Sequence, residues 1–143
     1  MKRILFICTG NTCRSPLAEG LAKKMAKDRG LSHEIESAGL SVFPDGANPH
    51  SITVAAEYGA DLTQHRARPL TDTMLLQADK IYTMTRSQAD FLKRIYPSGS
   101  EKIKPLCNQD VSDPYGGTEE DYRICAQQIW EGLQTRWEED AWD

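Results

Sequence analysis

Residues 4–16 read Ile4-Leu5-Phe6-Ile7-Cys8-Thr9-Gly10-Asn11-Thr12-Cys13-Arg14-Ser15-Pro16, and their order decides the fold. The run from Ile4 to Ile7 is β-branched and aromatic, and it is continuous rather than alternating. That pattern predicts a central strand buried on both faces. Gly10 and Asn11 tolerate positive φ, so the loop that follows can curl and turn its N–H groups inward. Ser15 is a good N-cap and Pro16 suits a first helical position, so the partial positive end of a helix faces the loop. Arg14 adds a guanidinium fork that matches two phosphate oxygens. A thiol, a cation, backbone N–H groups and a helix N-terminus thus surround one small volume. Such a volume suits a dianionic tetrahedral oxyanion, phosphate above all. A helix N-terminus and a nearby Arg also favour the thiolate, the nucleophilic form of a cysteine. Cys8 is therefore placed to attack the phosphorus that the loop binds. Each feature is ordinary alone, as a strand-end Cys or a helix start. The ordered set at this spacing is specific.

Working outward, strands and helices alternate. Leu17, Ala18, Leu21, Ala22 and Met25 line one face of a first helix, which Gly30 ends. Strands are expected over 34–38, 80–84 and 102–106. Helices are expected from Pro49 toward Tyr58, over 71–76 and over 87–96, with a turn at Pro44-Asp45-Gly46. Tyr122, Ala126, Ile129, Leu133 and Trp137 line one face of a long final helix as core packing. Glu138-Glu139-Asp140 is read as a solvated acidic end. The fold class is α/β: a three-layer α/β/α sandwich around a central four-stranded parallel sheet, forming one domain over 1–143. Ligands bind at the carboxyl ends of such strands, where Cys8 lies.

Composition limits the function classes. The chain has 143 residues, 27% charged and 39% hydrophobic, as soluble globular chains do. The net charge of −4 argues against a nucleic-acid partner. No stretch approaches a membrane span. The four apolar residues after Met1-Lys2-Arg3 are too few for a secretory signal, so a cytoplasmic location is expected. The four cysteines, at 8, 13, 107 and 125, form no Cys-x-x-Cys pair and no zinc-spaced cluster. No metal or cofactor is expected. His33, His50 and His65 are read as solvated or packing residues, and Cys107 and Cys125 as small core residues.

Cys8 to Ser15 resembles the phosphate-binding loop of the low-molecular-weight protein tyrosine phosphatases: Cys, five residues, Arg, then Ser or Thr, near the N-terminus. That family also carries an Asp-Pro about a hundred residues later, here Asp113-Pro114-Tyr115-Gly116-Gly117, and a patch like Ser37-Ala38-Gly39. The resemblance spans essentially the whole chain. It implies a metal-independent, cysteine-dependent protein phosphatase acting on phosphorylated protein substrates. Cys8 attacks phosphorus while Arg14 and the N–H groups of Thr9, Gly10, Asn11, Thr12 and Cys13 hold the oxygens. Asp113 protonates the leaving group and then activates water. Ser15 stabilises the thiolate, and Asn11 braces the loop. Expelling an aryl oxide or a guanidine nitrogen is hard without protonation. Beside the Cys loop, Asp113 is therefore read as an acid rather than as a plain Asp-Pro turn. Related phosphatases with an adjacent loop cysteine form a protective disulfide, which the resemblance extends to Cys8 and Cys13.

The resemblance leaves the substrate open between phosphotyrosine and phosphoarginine. Family members acting on phosphotyrosine commonly carry Ile or Leu where Thr12 stands. Threonine resembles the bacterial protein-arginine phosphatase branch, and a guanidinium tolerates a hydroxyl better than a phenyl ring does. Tyr115 makes an aromatic wall suited to either group, with Val42 and Phe43 opposite. Two other classes stay in view. Arsenate reductases on this fold need further cysteines around the third strand, and 79–106 contains none. A phospho-carrier would lack the late Asp-Pro.

Overall fold

The computed structural model describes residues 1–42 and 45–143. Four parallel strands make one sheet: β1 (Arg3–Cys8), β2 (Glu34–Gly39), β3 (Lys80–Thr83) and β4 (Ile103–Pro105), in the order β2-β1-β3-β4. The helices are α1 (Arg14–Asp28), α2 (Pro49–Glu57), α3 (Asp72–Gln77), α4 (Arg86–Ile95) and α5 (Glu119–Glu139).

The continuous apolar run of β1 has a two-sided explanation. Side chains alternate across a strand. Ile4, Phe6 and Cys8 pack with α1, α2 and α5 on one face. Leu5 and Ile7 pack with Leu75 and Ala78 at α3 and with Ala89 and Leu92 of α4 on the other. The chain leaves β1 toward β2, then crosses over to β3 on the opposite side. The carboxyl end of β1 is therefore a topological switch point, where a crevice forms between diverging loops. Cys8 occupies that end.

Three local expectations need correcting. Ser15 is not the N-cap of α1. The helix starts at Arg14 with Cys13 in the cap position and no side-chain cap bond, because the Ser15 hydroxyl is committed to the sulfur of Cys8. Of the loop pair Gly10 and Asn11, only Asn11 adopts positive φ, at 56°. The acidic end is not simply solvated either. The Asp140 side chain is only 7% exposed; it accepts from the Tyr82 hydroxyl at 2.6 Å and from Lys104 Nζ at 2.7 Å. Just beyond it, Trp142 is fully buried against Phe6, Tyr82 and Trp137.

The start of α5 explains Gly116 and Gly117, which the Asp-Pro segment carries. Gly116 has φ +81, and a Cβ on Gly117 would collide with Asp121. Asp121 closes a capping box with Thr118, so the two glycines let the acidic loop turn tightly into the helix.

Candidate active site

Cys8 is buried, and its sulfur has two polar neighbours: Ser15 Oγ at 2.9 Å and the Asn11 N–H at 3.3 Å. The proton directions follow from Asn11. Its Oδ1 accepts from the Arg68 backbone N–H at 3.0 Å, and a backbone N–H can only donate. The amide nitrogen therefore faces the other way, donating to Ser15 Oγ at 2.8 Å and to Ser37 Oγ at 2.9 Å. Ser15, already accepting there, turns its own proton to the sulfur. Ser37 likewise passes its proton on, to Glu19 Oε1 at 2.6 Å, and Glu19 is paired with Lys23 at 2.6 Å. The donors thus diverge from the Asn11 amide: one branch passes through Ser15 to the sulfur, and the other through Ser37 to Glu19, which also accepts from Lys23. His65 Nε2 lies 2.9 Å from the Asn11 carbonyl oxygen, and His65 is buried.

The loop is also braced from outside. The N–H groups of Leu40, Ser41 and Asn48 donate to the carbonyls of Cys8, Thr9 and Thr12. This brings β2 so close that a Cβ on Gly39 would meet Val42, Thr9 O and Asn11. The Ser37-Ala38-Gly39 patch therefore has physical content: a hydroxyl that serves Asn11, and a glycine that permits the approach.

Arg14 is 7% exposed. Nη1 donates to the Val111 carbonyl at 3.0 Å, and Nη2 stands 3.7 Å from Asp113 Oδ2. Asp113 is held in a side-chain turn in which Oδ1 accepts from the Tyr115 N–H at 3.1 Å, while 58% of its side chain remains exposed. These groups open onto a cleft of about 320 Å³ lined by Cys8, Thr9, Gly10, Thr12, Cys13, Arg14, Ser41, Asp45, Asp113 and Tyr115. The first N–H groups of α1 have no acceptor within the helix and lie beside it. The arrangement can seat a tetrahedral oxyanion against a nucleophilic sulfur, with a carboxyl at the exit side.

The structure thus brings Cys8, Thr9, Gly10, Thr12, Cys13, Arg14, Asp113 and Tyr115 to one cleft. Asn11 and Ser15 are completely buried behind it. Val42 is not among the lining residues, and Phe43 lies outside the described ones; Ser41 and Asp45 from this stretch line the cleft instead. Sequence reasoning missed Glu19, His65, Ser41 and Asp45. Glu19 alone left a signal, as an acidic residue four positions after Ser15 on a helix whose buried side beyond Ser15 is otherwise apolar. All four cysteines are free thiols. Cys13 is buried with its sulfur 3.4 Å from the Tyr122 hydroxyl, and burial pushes its thiol up. Burial pushes Cys125 up to about 12. Cys107 faces a different hollow, beside Gln128 and Gly132.

The strand order β2-β1-β3-β4, with a cysteine and an arginine sharing a cleft at the switch point, defines an α/β protein whose site is suited to an oxyanion. Comparison with known proteins makes the assignment specific. Residues 3–139 match the family model described as low molecular weight phosphotyrosine protein phosphatase. A protein-arginine-phosphatase of Bacillus subtilis is 34% identical over 138 residues, covering 92% of this chain and 91% of the relative. The crystal structure of a low molecular weight protein tyrosine phosphatase from T. tengcongensis superposes with a TM-score of 0.89 at 35% identity, over 94% of this chain and 96% of that one. The tyrosine phosphatase Wzb from Escherichia coli K30, solved in complex with sulphate, superposes with a TM-score of 0.86 at 31% identity, over 99% of both chains. The chain belongs to the low molecular weight phosphotyrosine protein phosphatase family.

Proposed function

We propose that the protein hydrolyses phosphorylated protein side chains through a cysteinyl-phosphate intermediate. The observation that carries this reading is the proton direction at Cys8: Ser15 and the Asn11 N–H both point donors at a sulfur that faces the cleft beside Arg14. In the first step the Cys8 thiolate forms the S–P bond as the bond to the leaving oxygen or nitrogen breaks. Asp113 gives its proton to that leaving atom. Arg14, the loop N–H groups and the end of α1 hold the equatorial oxygens, whose charge they stabilise in the transition state. In the second step Asp113, now a carboxylate, takes a proton from water as its oxygen attacks phosphorus. The S–P bond breaks, and the thiolate is received by the same two donors. The products are the unmodified side chain and inorganic phosphate.

Phosphoarginine is proposed as a substrate beside phosphotyrosine. Thr12 places a hydroxyl in the cleft wall, and Tyr115, 75% exposed at the mouth, suits a planar group of either kind. The likeness to a protein-arginine-phosphatase supports the same reading. A reducing, cytoplasmic setting fits the four free thiols.

The test is steady-state hydrolysis of matched phosphotyrosine and phosphoarginine peptides, without added metal and with reductant, by wild type and Thr12→Ile. A phosphoarginine preference that collapses in Thr12→Ile supports a specificity set at that residue. Phosphotyrosine preference in both proteins makes Thr12 incidental. Failure to turn over either peptide sinks the phosphatase reading.

A further inference from the structure

We infer that Asp45 is a specificity residue of this cleft, a fixed carboxylate that recognises positive charge on the substrate beside its phosphoryl group. The inference rests on the phosphatase reading above and adds the substrate feature that the site selects.

Among the described residues lining the cleft, one guanidinium faces two carboxylates: Arg14 against Asp45 and Asp113. Once the phosphoryl group has engaged Arg14, the loop N–H groups and the end of α1, the carboxylate of Asp45 remains in the cleft lining to meet the rest of the substrate. A cation beside the phosphate is the group that suits it. The two carboxylates are not equivalent. Asp113 stands 3.7 Å from Arg14 and must carry a proton when the leaving group departs, so it is neutral at the moment when a cation would need it. Asp45 has no such duty. The one ion pair at the cleft among the described residues joins Arg14 to Asp113, which leaves Asp45 for a ligand.

Asp45 is also held in place. Its carbonyl accepts from the Ala67 N–H at 2.7 Å, the next residue bridges to Arg66, and its own Oδ1 accepts from the Gly46 N–H at 2.8 Å. One carboxylate oxygen is thereby oriented, and the group keeps further acceptor positions for a guanidinium or ammonium. Ala67 and Arg66 belong to the same segment as His65 and Arg68, which hold Asn11. The carboxylate is thus set by the segment that sets the phosphate loop, with its position tied to where the phosphorus sits.

Two sources of the cation share this chemistry: the guanidinium of phosphoarginine itself, or an Arg or Lys flanking the phosphorylated residue. The experiment compares three peptides: phosphoarginine with neutral flanks, phosphotyrosine with neutral flanks, and phosphotyrosine with Arg flanks. Each is tested with wild type, Asp45→Asn and Asp45→Lys. Asparagine keeps the acceptor for the Gly46 N–H, and circular dichroism with the urea midpoint checks that both variants fold. In Asp45→Asn, kcat/KM for a cationic peptide relative to the neutral phosphotyrosine peptide should fall about fivefold, carried by KM. Asp45→Lys should lower the ratio further, and added salt should shrink the wild-type preference. A fall confined to the phosphoarginine peptide assigns Asp45 to the guanidinium. A fall confined to the Arg-flanked phosphotyrosine peptide assigns it to the flank. Unchanged ratios in both variants overturn the inference. If wild type leaves phosphoarginine untouched, that part of the functional reading fails by itself, and the Arg-flanked phosphotyrosine arm still decides the role of Asp45.

Discussion

Asn11 does more at this site than any residue that lines it. Its backbone takes φ 56°, a conformation that an asparagine tolerates better than most side chains. From there it touches the sulfur, Ser15, Ser37, His65 and Arg68. Asn11→Ala would leave the loop strained and several buried polar groups without partners, so it should cost both stability and kcat. Ser15→Ala removes one donor to the sulfur and should slow the breakdown of the cysteinyl-phosphate most, because the thiolate leaves in that step. A larger burst of released leaving group in rapid-mix kinetics, followed by a slower steady state, is the expected signature. Asp113→Ala should lower kcat by about 10²–10⁴ on phenyl phosphate and much less on p-nitrophenyl phosphate, whose leaving oxide needs little help. Equal losses on both substrates would remove Asp113 from the acid role.

At the scale of elements, the helix ends carry both stability and position. The capping box of α4 uses Gln88, whose Oε1 accepts from the Met84 and Thr85 N–H groups. Its Nε2 also donates to the Thr9 hydroxyl at 3.3 Å, so the start of α4 is tied to the phosphate loop. Gln88→Leu keeps the Thr85 cap but loses the reciprocal half of the box and the tie together. It should destabilise the fold by about 1–3 kcal/mol, because the buried Met84 N–H loses its acceptor, and also weaken inhibition by inorganic phosphate. Thr118→Ala, at the start of α5, loses the cap hydroxyl itself, at a cost of about 1 kcal/mol. A fall in the urea midpoint with phosphate inhibition retained is expected there, since Thr118 is not part of the cleft lining. If the two variants behave alike toward phosphate, the Gln88–Thr9 bond does not position the loop.

The whole molecule is closed by its C-terminal residues. Trp142 fills the core beside Tyr82 and donates from Nε1 to the Tyr82 hydroxyl at 3.0 Å. Tyr82 in turn donates to Asp140. Trp142→Ala should cost about 3–5 kcal/mol, read from denaturant unfolding. Burial raises the Asp140 carboxyl, but the hydrogen bonds from Lys104 and Tyr82 and the charges of Lys104 and Arg136 outweigh it and hold the group below the ordinary carboxylate range. A group lowered on folding contributes stability above its unfolded pKa, near about 4, and loses it as pH falls through the folded value. Asp140→Asn should therefore be less stable than wild type at neutral pH, and the difference should shrink below about pH 4. A difference that persists undiminished in acid would mean that packing, not charge, is what Asp140 supplies.

The strands, the helices and the Cys8-to-Arg14 loop were legible because each rests on nearby residues: an apolar run, a helical period, a loop whose atoms lie within a few residues of one another. Asp113, far along the chain, was singled out through the family resemblance, and the fold brings it to the same cleft. The expected strands at 80–84 and 102–106 ended at Thr83 and Pro105, because strand ends are set by pairing partners rather than by composition. Proton direction was not legible. Ser15 reads as a cap until Asn11 is seen to donate to it, and Asn11 is oriented by a backbone N–H fifty-seven positions away. The acidic end looked solvated because Lys104 and Tyr82, far back in the chain, cannot be placed beside Asp140 without the fold. Local order along the chain therefore determined which chemical groups are present and what they can react with. Tertiary contact decided where their protons point, which carboxylates are paired and which one is left at the mouth of the cleft, because those depend on partners that only folding brings within hydrogen-bond reach.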